Sequence, residues 1–245
     1  MIRLVLIAFI CFTSSLCAQG EPLNVGVESF DPPFVMQGNH NQVFGFDVDM
    51  MNSLCKIMNR TCVFHVMRFN QLIDAVINQK VDVAVSSITI TTERAQIVNF
   101  SLPYLQSFSR FLERASNTKE LFSLNLLNTK KIGLETGTVF LDQLKEMGVQ
   151  NPNVKYYTGI QEQLAALSGG KVDIILMDNS TAVYWASNSA NTFRLIGPRY
   201  MYGYGYGIVV NPADSDLLTK LNQALVQYQN SKEFKHNYNK YLYQF

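Results

Sequence analysis

The sequence predicts an α/β protein made of two similar halves, each a mainly parallel sheet flanked by helices. Two patterns and one proportion lead there. Strand and helix periodicities alternate in the order βαβαβ, and that order occurs twice. A helix, a Val-Asp step and an apolar strand appear as NQLIDAVINQKVDVAVSS and again as QEQLAALSGGKVDIILMDN. Such alternation favours parallel sheets, because each parallel connection needs a crossover element. Of 245 residues, 47% are hydrophobic and 16% charged, enough apolar mass for one large or two modest cores.

The elements follow in order. LNVGV, residues 23–27, is a short apolar strand that runs into the Pro-rich turn DPPF. Residues 45–58, GFDVDMMNSLCKIM, set Val48, Met51, Leu54 and Ile57 at helical spacing. CVFHVMRF is β-rich. NQLIDAVINQK is a helix with Leu72, Ile73, Val76 and Ile77 on one face. VDVAVSSITI is a strand. TTERAQ opens a helix that Thr91 or Thr92 caps, with Glu93 in its first turn. SFSRFLERA and KKIGLETGT are strands, VFLDQLKEM a helix, VKYY a strand, GIQEQLAALSGG a helix, VDIILMDN a strand and STAVYWAS a helix. YGYGYGIVVNP is a Gly- and Tyr-rich strand, and residues 216–242 are helical.

Residues 1–20 read as a secretory signal peptide. Arg3 supplies the basic start, Leu4 to Phe12 the apolar run, and small residues follow. That run is short for a membrane span, and no later stretch is longer. Cleavage fits after Ala18 or Gly20. Lipidation at Cys17 is the alternative, against which Ser14 stands where such sites carry Leu. The formal net charge is +1, and without Arg3 the chain balances at 19 basic and 19 acidic residues. Neither a nucleic-acid partner nor an anionic membrane surface is expected. Cys11 and Cys17 lie in the leader. Cys55 and Cys62 remain in an exported chain, where oxidation to a disulfide is the default. A metal pair is the rival reading, with only His65 nearby to complete it. No metal or cofactor is expected.

In open α/β sheets, ligands bind beyond the carboxyl ends of strands. Ser86–Thr89 and Asp178 both occupy such ends, and two facing halves would set them across a cleft. SSITITTERAQIVNF carries four hydroxyls, Ser86, Ser87, Thr89 and Thr91, then Arg94. It is either a solvated turn and cap or a site prepared for an anion.

SSITITTERAQIVNFSLPY, LNVGVESFDPPF, GFDVDMMNSLCKIM, KKIGLETGT and KVDIILMDN together resemble the periplasmic amino-acid-binding proteins of polar-amino-acid ABC transporters. The resemblance spans about residues 22–245. It implies a two-lobed periplasmic-binding-protein fold of type II, with lobe 1 at 21–106 plus 203–245 and lobe 2 at 107–202. Hinge crossovers would lie near Leu105–Ser109 and Met201–Tyr204. The cysteine pair is similar to the disulfide of the histidine and lysine/arginine/ornithine binders. Residue by residue, Arg94 would clamp the ligand α-carboxylate with its planar fork. Thr89 and Ser87 would add bonds, and Thr138 a backbone N–H from the second lobe. Asp178 would accept the α-ammonium, and Phe69 would pack on the side chain. The plainer alternatives are a solvated Arg94, an N-capping Asp178 and a core Phe69.

The chain departs from the commonest family pattern at three positions. Glu28 holds the acid position, Asp31 stands where an aromatic is usual unless Phe30 takes over the stacking, and Glu135 replaces an apolar residue or lysine. Three carboxylates near one pocket favour a basic side chain, such as arginine, lysine or ornithine. Glutamine or another polar amino acid is the competitor, and Asp31 and Glu135 facing solvent is the alternative geometry. The expected partners are the amino acid and the membrane permease of an ABC transporter, with the protein a monomer in the periplasm. Two other classes are weighed. A cyclohexadienyl dehydratase-like enzyme would need a poised acid or base; Glu28 or Asp178 could serve, while His40, His65 and His236 lie outside the motifs. A receptor sensor lobe would be fused to further domains, and the sequence to Phe245 reads as free-standing. YMYGYGYG reads as the returning hinge strand rather than an interaction patch.

Overall fold

The computed structural model describes residues 20–39, 42–117 and 121–243. The expected leader, with Cys11 and Cys17, and also His40, lie outside the described residues. Among those described, no helix is long and apolar enough to cross a membrane.

The first lobe runs β1 (Leu23–Glu28), a short hairpin of β2 (Met36–Gln37) and β3 (Val43–Phe44), α1 (Phe46–Ile57), β4 (Cys62–Met67), α2 (Leu72–Ile77), β5 (Val83–Ala84), α3 (Thr92–Ala95) and β6 (Asn99–Phe100). The second contains β7 (Phe108–Arg114), β8 (Lys131–Glu135), α4 (Phe140–Glu146), β9 (Asn153–Tyr157), α5 (Ile160–Ser168), β10 (Ile174–Asp178), α6 (Asn179–Asn188) and β11 (Phe193–Met201). The chain then returns through β12 (Val209–Val210), α7 (Ser215–Gln229) and α8 (Lys232–Tyr241). Each lobe holds a five-stranded sheet, ordered β4-β1-β5-β12-β6 and β11-β7-β10-β8-β9. In each, three strands pair in parallel and the other two join antiparallel.

Both sheets are covered on both faces, which explains their unbroken apolar runs. In β10, Ile174 and Leu176 enter one core, with Phe111, Leu134 and Leu144. Ile175 and Met177 enter the other, with Leu164 and Leu167. In β5, Val83 joins the core under α1, α7 and α8, while Ala84 joins the one under α2. In α1, Val48, Met51 and Leu54 are buried as the periodicity predicts, and the buried face is wider than that stripe. Phe46, Met50, Met51 and Leu54 are buried, whereas Ile57 lies 36% exposed at the last turn. A disulfide joins Cys55 in α1 to Cys62 at the start of β4. The neighbouring His65 ring nitrogen meets the Asn24 side chain at 2.9 Å, an ordinary polar contact on the sheet edge.

The strand expected over 81–90 pairs regularly only at Val83–Ala84. Ser87 adopts a left-handed φ of 42°, which turns the chain out of the sheet. The sequence pattern does not announce strand β11, because Gly197-Pro198 interrupts its alternation; in the sheet a register shift separates Ile196 from Tyr200. Between the lobes the crossovers run side by side. Tyr104 N–H donates to the Tyr206 carbonyl and Tyr206 N–H to Leu105, both at 2.9 Å. Tyr202 N–H donates to Ser107, whose hydroxyl bonds the Tyr202 carbonyl in return. Gly203, at φ 67°, lets this segment press on Ile90 and Thr89, where a Cβ would collide.

Candidate functional site

Strand ends bring the expected site residues to one gap between the lobes. β1 ends at Glu28, β8 at Glu135 and β10 at Asp178, while Ser87 and Thr89 follow β5. The gap is crossed by several contacts, so the lobes stand together.

Ser87 is the hub on the first lobe. Its backbone N–H donates to Asp47 at 2.8 Å, and Tyr104 donates its hydroxyl to the same oxygen at 2.9 Å. Asp47 lies in the first turn of α1, fully buried, and burial pushes its carboxyl up to about 7. It fixes Ser87 in its left-handed conformation. The Ser87 hydroxyl lies 2.8 Å from Asp31 and 3.3 Å from Asp178. One hydroxyl proton serves one acceptor, and the shorter contact takes it.

Arg94 is 8% exposed. Thr91 caps α3 by accepting the Arg94 N–H at 3.3 Å, which sets the residue at the lip of the first lobe. The guanidinium donates to the Thr89 carbonyl at 2.7 Å and, across the gap, to the Gly137 carbonyl at 2.9 Å. It also sits 5.6 Å above the Phe69 ring, and Phe69 itself is half-buried on the α2 core. Burial lowers its pKa to about 10, with Asp178 acting in the opposite direction. Among the described residues, no carboxylate lies within ion-pair distance of it. Arg94 is therefore a desolvated cation held by neutral carbonyls, the arrangement that favours an anion.

The acids are its counterpart. Asp178 stands at the N-cap of α6 but makes no capping bond. Instead Tyr206 donates its phenol to Asp178 at 2.6 Å from the returning crossover. The residue is half-buried, its carboxyl end enclosed between the lobes. Burial, then Asp31, raise its pKa well above the carboxylate range. Glu28 and Glu135 are 3% and 8% exposed and share a hydrogen bond across the gap. Burial raises both: Glu28 far, with Glu135 adding to it, and Glu135 to about 7. One buried Glu135 oxygen has no hydrogen-bond partner among the described residues. Asp31 accepts hydroxyls from Ser87 and from Thr181 in α6, the latter at 2.7 Å, and burial lifts it to about 6. These four acids meet no Lys, Arg or His at ion-pair distance among the described residues. A group carrying positive charge would stabilise them.

Asp31 and Glu135 thus both face the gap rather than solvent. Phe30 turns toward the second lobe, 6.2 Å from Trp185. Thr138 lies in the turn before α4, and its N–H and hydroxyl donate to the Glu135 carbonyl at 3.3 and 2.7 Å. The exposed His236 lies on α8 and His65 on β4, outside this gap. Sequence reasoning missed Asp47, Thr181, Tyr206 and the Gly137 carbonyl. For Asp47 a signal existed: 47, 51 and 54 fall on one helical stripe, so the aspartate shares the buried face.

Residues 23–244 match the family described as bacterial extracellular solute-binding proteins, family 3. ABC transporter arginine-binding protein 1 of Escherichia coli (strain K12) is 32% identical over 231 residues, covering 92% of each chain. The L-arginine-binding protein of Pseudomonas aeruginosa is 31% identical, covering 92% of this chain and 89% of its own. Among solved structures, an arginine 3rd transport system periplasmic binding protein from Legionella pneumophila superposes with a TM-score of 0.85 at 32% identity, covering 91% and 100%. An ancestral arginine-binding protein bound to arginine gives 0.83 at 29%, covering 91% and 99%. A family match over almost the whole sequence, with a two-sheet fold and strand ends converging on one gap, leads to one assignment: the chain belongs to the bacterial extracellular solute-binding proteins of family 3.

Proposed function

We propose that this protein binds a free basic amino acid, L-arginine before lysine or ornithine, and delivers it to the membrane permease of an ABC importer from the periplasm as a monomer. The lobes are taken as 21–106 plus 203–245 and 107–202, closing about the paired crossovers. One observation carries the reading: among the described residues, a buried guanidinium without an ion-pair partner faces a set of enclosed acids without a cation at ion-pair distance. A zwitterion with a cationic side chain complements both ends. Arg94 takes the α-carboxylate together with Thr89 and the Thr138 turn, while the carbonyl of Ser87, whose N–H and hydroxyl are already engaged, faces the ammonium end. Asp178 takes the α-ammonium, Phe69 flanks the side chain, and Glu28 with Glu135 takes its guanidinium. Relatives that bind arginine support the same choice. Binding rather than dehydratase catalysis is the role, since the relatives covered along most of their length are binding proteins of transporters.

A ligand of this size, at roughly 0.8–1 kcal/mol per heavy atom, binds with about 10 kcal/mol, a Kd well below micromolar. Calorimetry with L-arginine and its neutral isostere L-citrulline tests the reading. Arginine should bind far more tightly, and Arg94→Ala should cost more than about 3 kcal/mol by leaving the carboxylate desolvated and unpaired. A loss under roughly a tenth of that, or equal affinity for citrulline, would overturn the assignment.

A further inference from the structure

We propose that Asp31 is a positioning residue that latches the two lobes together through Thr181, rather than a contact of the ligand side chain. The proposal rests on the amino-acid-binding reading for its assay, though not for its geometry.

Asp31 sits on a rigid mount. Its N–H donates to the Val35 carbonyl at 2.8 Å, and its own carbonyl accepts from Phe34 and Val35 at 2.9 Å. The backbone is held on both sides, so the side chain has a fixed direction into the gap. Its two oxygens then hold one lobe each. Oδ2 accepts the Ser87 hydroxyl at 2.8 Å, within the first lobe, and Oδ1 accepts the Thr181 hydroxyl at 2.7 Å, from the second. Both oxygens are engaged by hydroxyls, whereas one buried Glu135 oxygen has no partner among the described residues.

Thr181 is fully buried in the first turn of α6, three residues after Asp178. A helical threonine can donate to the carbonyl four residues back, here Met177. In this state it donates outward to Asp31 instead. When the lobes part, that local acceptor is available to Thr181 and water to Asp31, so the bond belongs to the closed form alone. The first turn of α6 is thereby gripped twice from the first lobe, at Asp178 by Tyr206 and at Thr181 by Asp31.

A latch and a ligand contact have different signatures. A latch changes the closed fraction, so every ligand weakens by one factor. A ligand contact changes the ratio between ligands. Losing one hydrogen bond to a carboxylate should lower the closed population roughly 10- to 100-fold. The experiment measures binding and dissociation of L-arginine and L-citrulline for wild type, Thr181→Val, Thr181→Ser, Asp31→Asn and the Asp31→Asn/Thr181→Val double variant. Thr181→Val should speed arginine dissociation by about that factor and leave the arginine-to-citrulline ratio unchanged. Thr181→Ser keeps the hydroxyl and should restore the wild-type rate. The double variant should be no worse than Thr181→Val alone. An unchanged dissociation rate in Thr181→Val would refute the latch. So would an arginine-to-citrulline ratio that Asp31→Asn shifts as far as Glu135→Gln does. If Asp31→Asn fails to fold, the Val and Ser pair at 181 decides alone. Wild type indifferent to L-arginine would sink the preceding reading instead. The latch is then judged by X-ray scattering of ligand-free protein: a larger radius of gyration for Thr181→Val than for Thr181→Ser supports it, and equal radii refute it.

Discussion

Arginine affinity should fall steeply between pH 8 and pH 5, with Glu135 a main source of the slope. Burial raises this carboxyl from an ordinary 4.5 to about 7, and the Glu28 hydrogen bond only partly opposes it. A guanidinium seated on the carboxylate would return it toward the ordinary value. Binding below pH 7 then requires release of a proton. For one group moving from about 7 to about 4.5, the affinity at pH 5 is roughly 70-fold below that at pH 8, or about 2.5 kcal/mol. Glu28, raised first by its own burial and next by Glu135, adds in the same direction. Stability without ligand runs oppositely. Acids whose folded pKa is raised contribute stability that is complete near pH 4 and lost as pH rises, through about 6 for Asp31 and about 7 for Asp47 and Glu135. The thermal shift caused by arginine should therefore grow from pH 5 to pH 8. Calorimetry in two buffers of different ionisation enthalpy reads the released protons directly, and Glu135→Gln should flatten the profile. A wild-type Kd constant within about threefold over this range, or a Gln variant with the same slope, would refute the reasoning.

Two other perturbations separate closure from stability. Gly137 has φ 89°, its carbonyl accepts from Arg94, and a Cβ there would lie 2.8 Å from the Asn70 backbone on the opposite lobe. Gly137→Ala should weaken arginine at least about tenfold by strain and by holding the lobes apart, and unchanged calorimetric affinity would count against that closure. Replacing Cys55 and Cys62 by Ala should cost about 2.5 kcal/mol on the chain-entropy model, lowering the melting temperature by roughly 5–10 °C. Its arginine affinity should stay at the wild-type value, because the pair lies at the amino-terminal end of β4 while the site lies beyond the carboxyl ends; a weakened Kd would break that separation.

The fold was legible wherever apolar periodicity was clean. Strand β10 reads directly from IILM, and the amphipathic stripe places α1 within a residue or two. The Tyr- and Gly-rich crossover was also readable, since close backbone approach calls for glycine. Legibility failed where regular pairing gives way to side-chain bonds. Ser87 leaves its strand because Asp47, forty residues earlier, holds its N–H, and no local pattern carries that contact. The tail's pattern suggests one helical stretch, yet it breaks at Asn230–Ser231, where Ser231 accepts from Phe234 N–H to start α8. At the site, strand ends pointed to Ser86–Thr89 and Asp178, and the family resemblance to Arg94, Glu28 and Glu135. Which oxygen meets which hydroxyl depends on how two remote segments dock, and Thr181 and Tyr206 carry no motif of their own.

Strand β12 sits between β5 and β6, yet more than a hundred residues separate it from either. The second lobe is a continuous stretch of chain spliced between neighbours in the first. A nascent polypeptide emerging amino end first can thus finish the inserted lobe while the outer one still lacks an inner strand. Its first sheet knits together only once residue 209 has arrived, so the pairing of greatest sequence separation is also the last to become available.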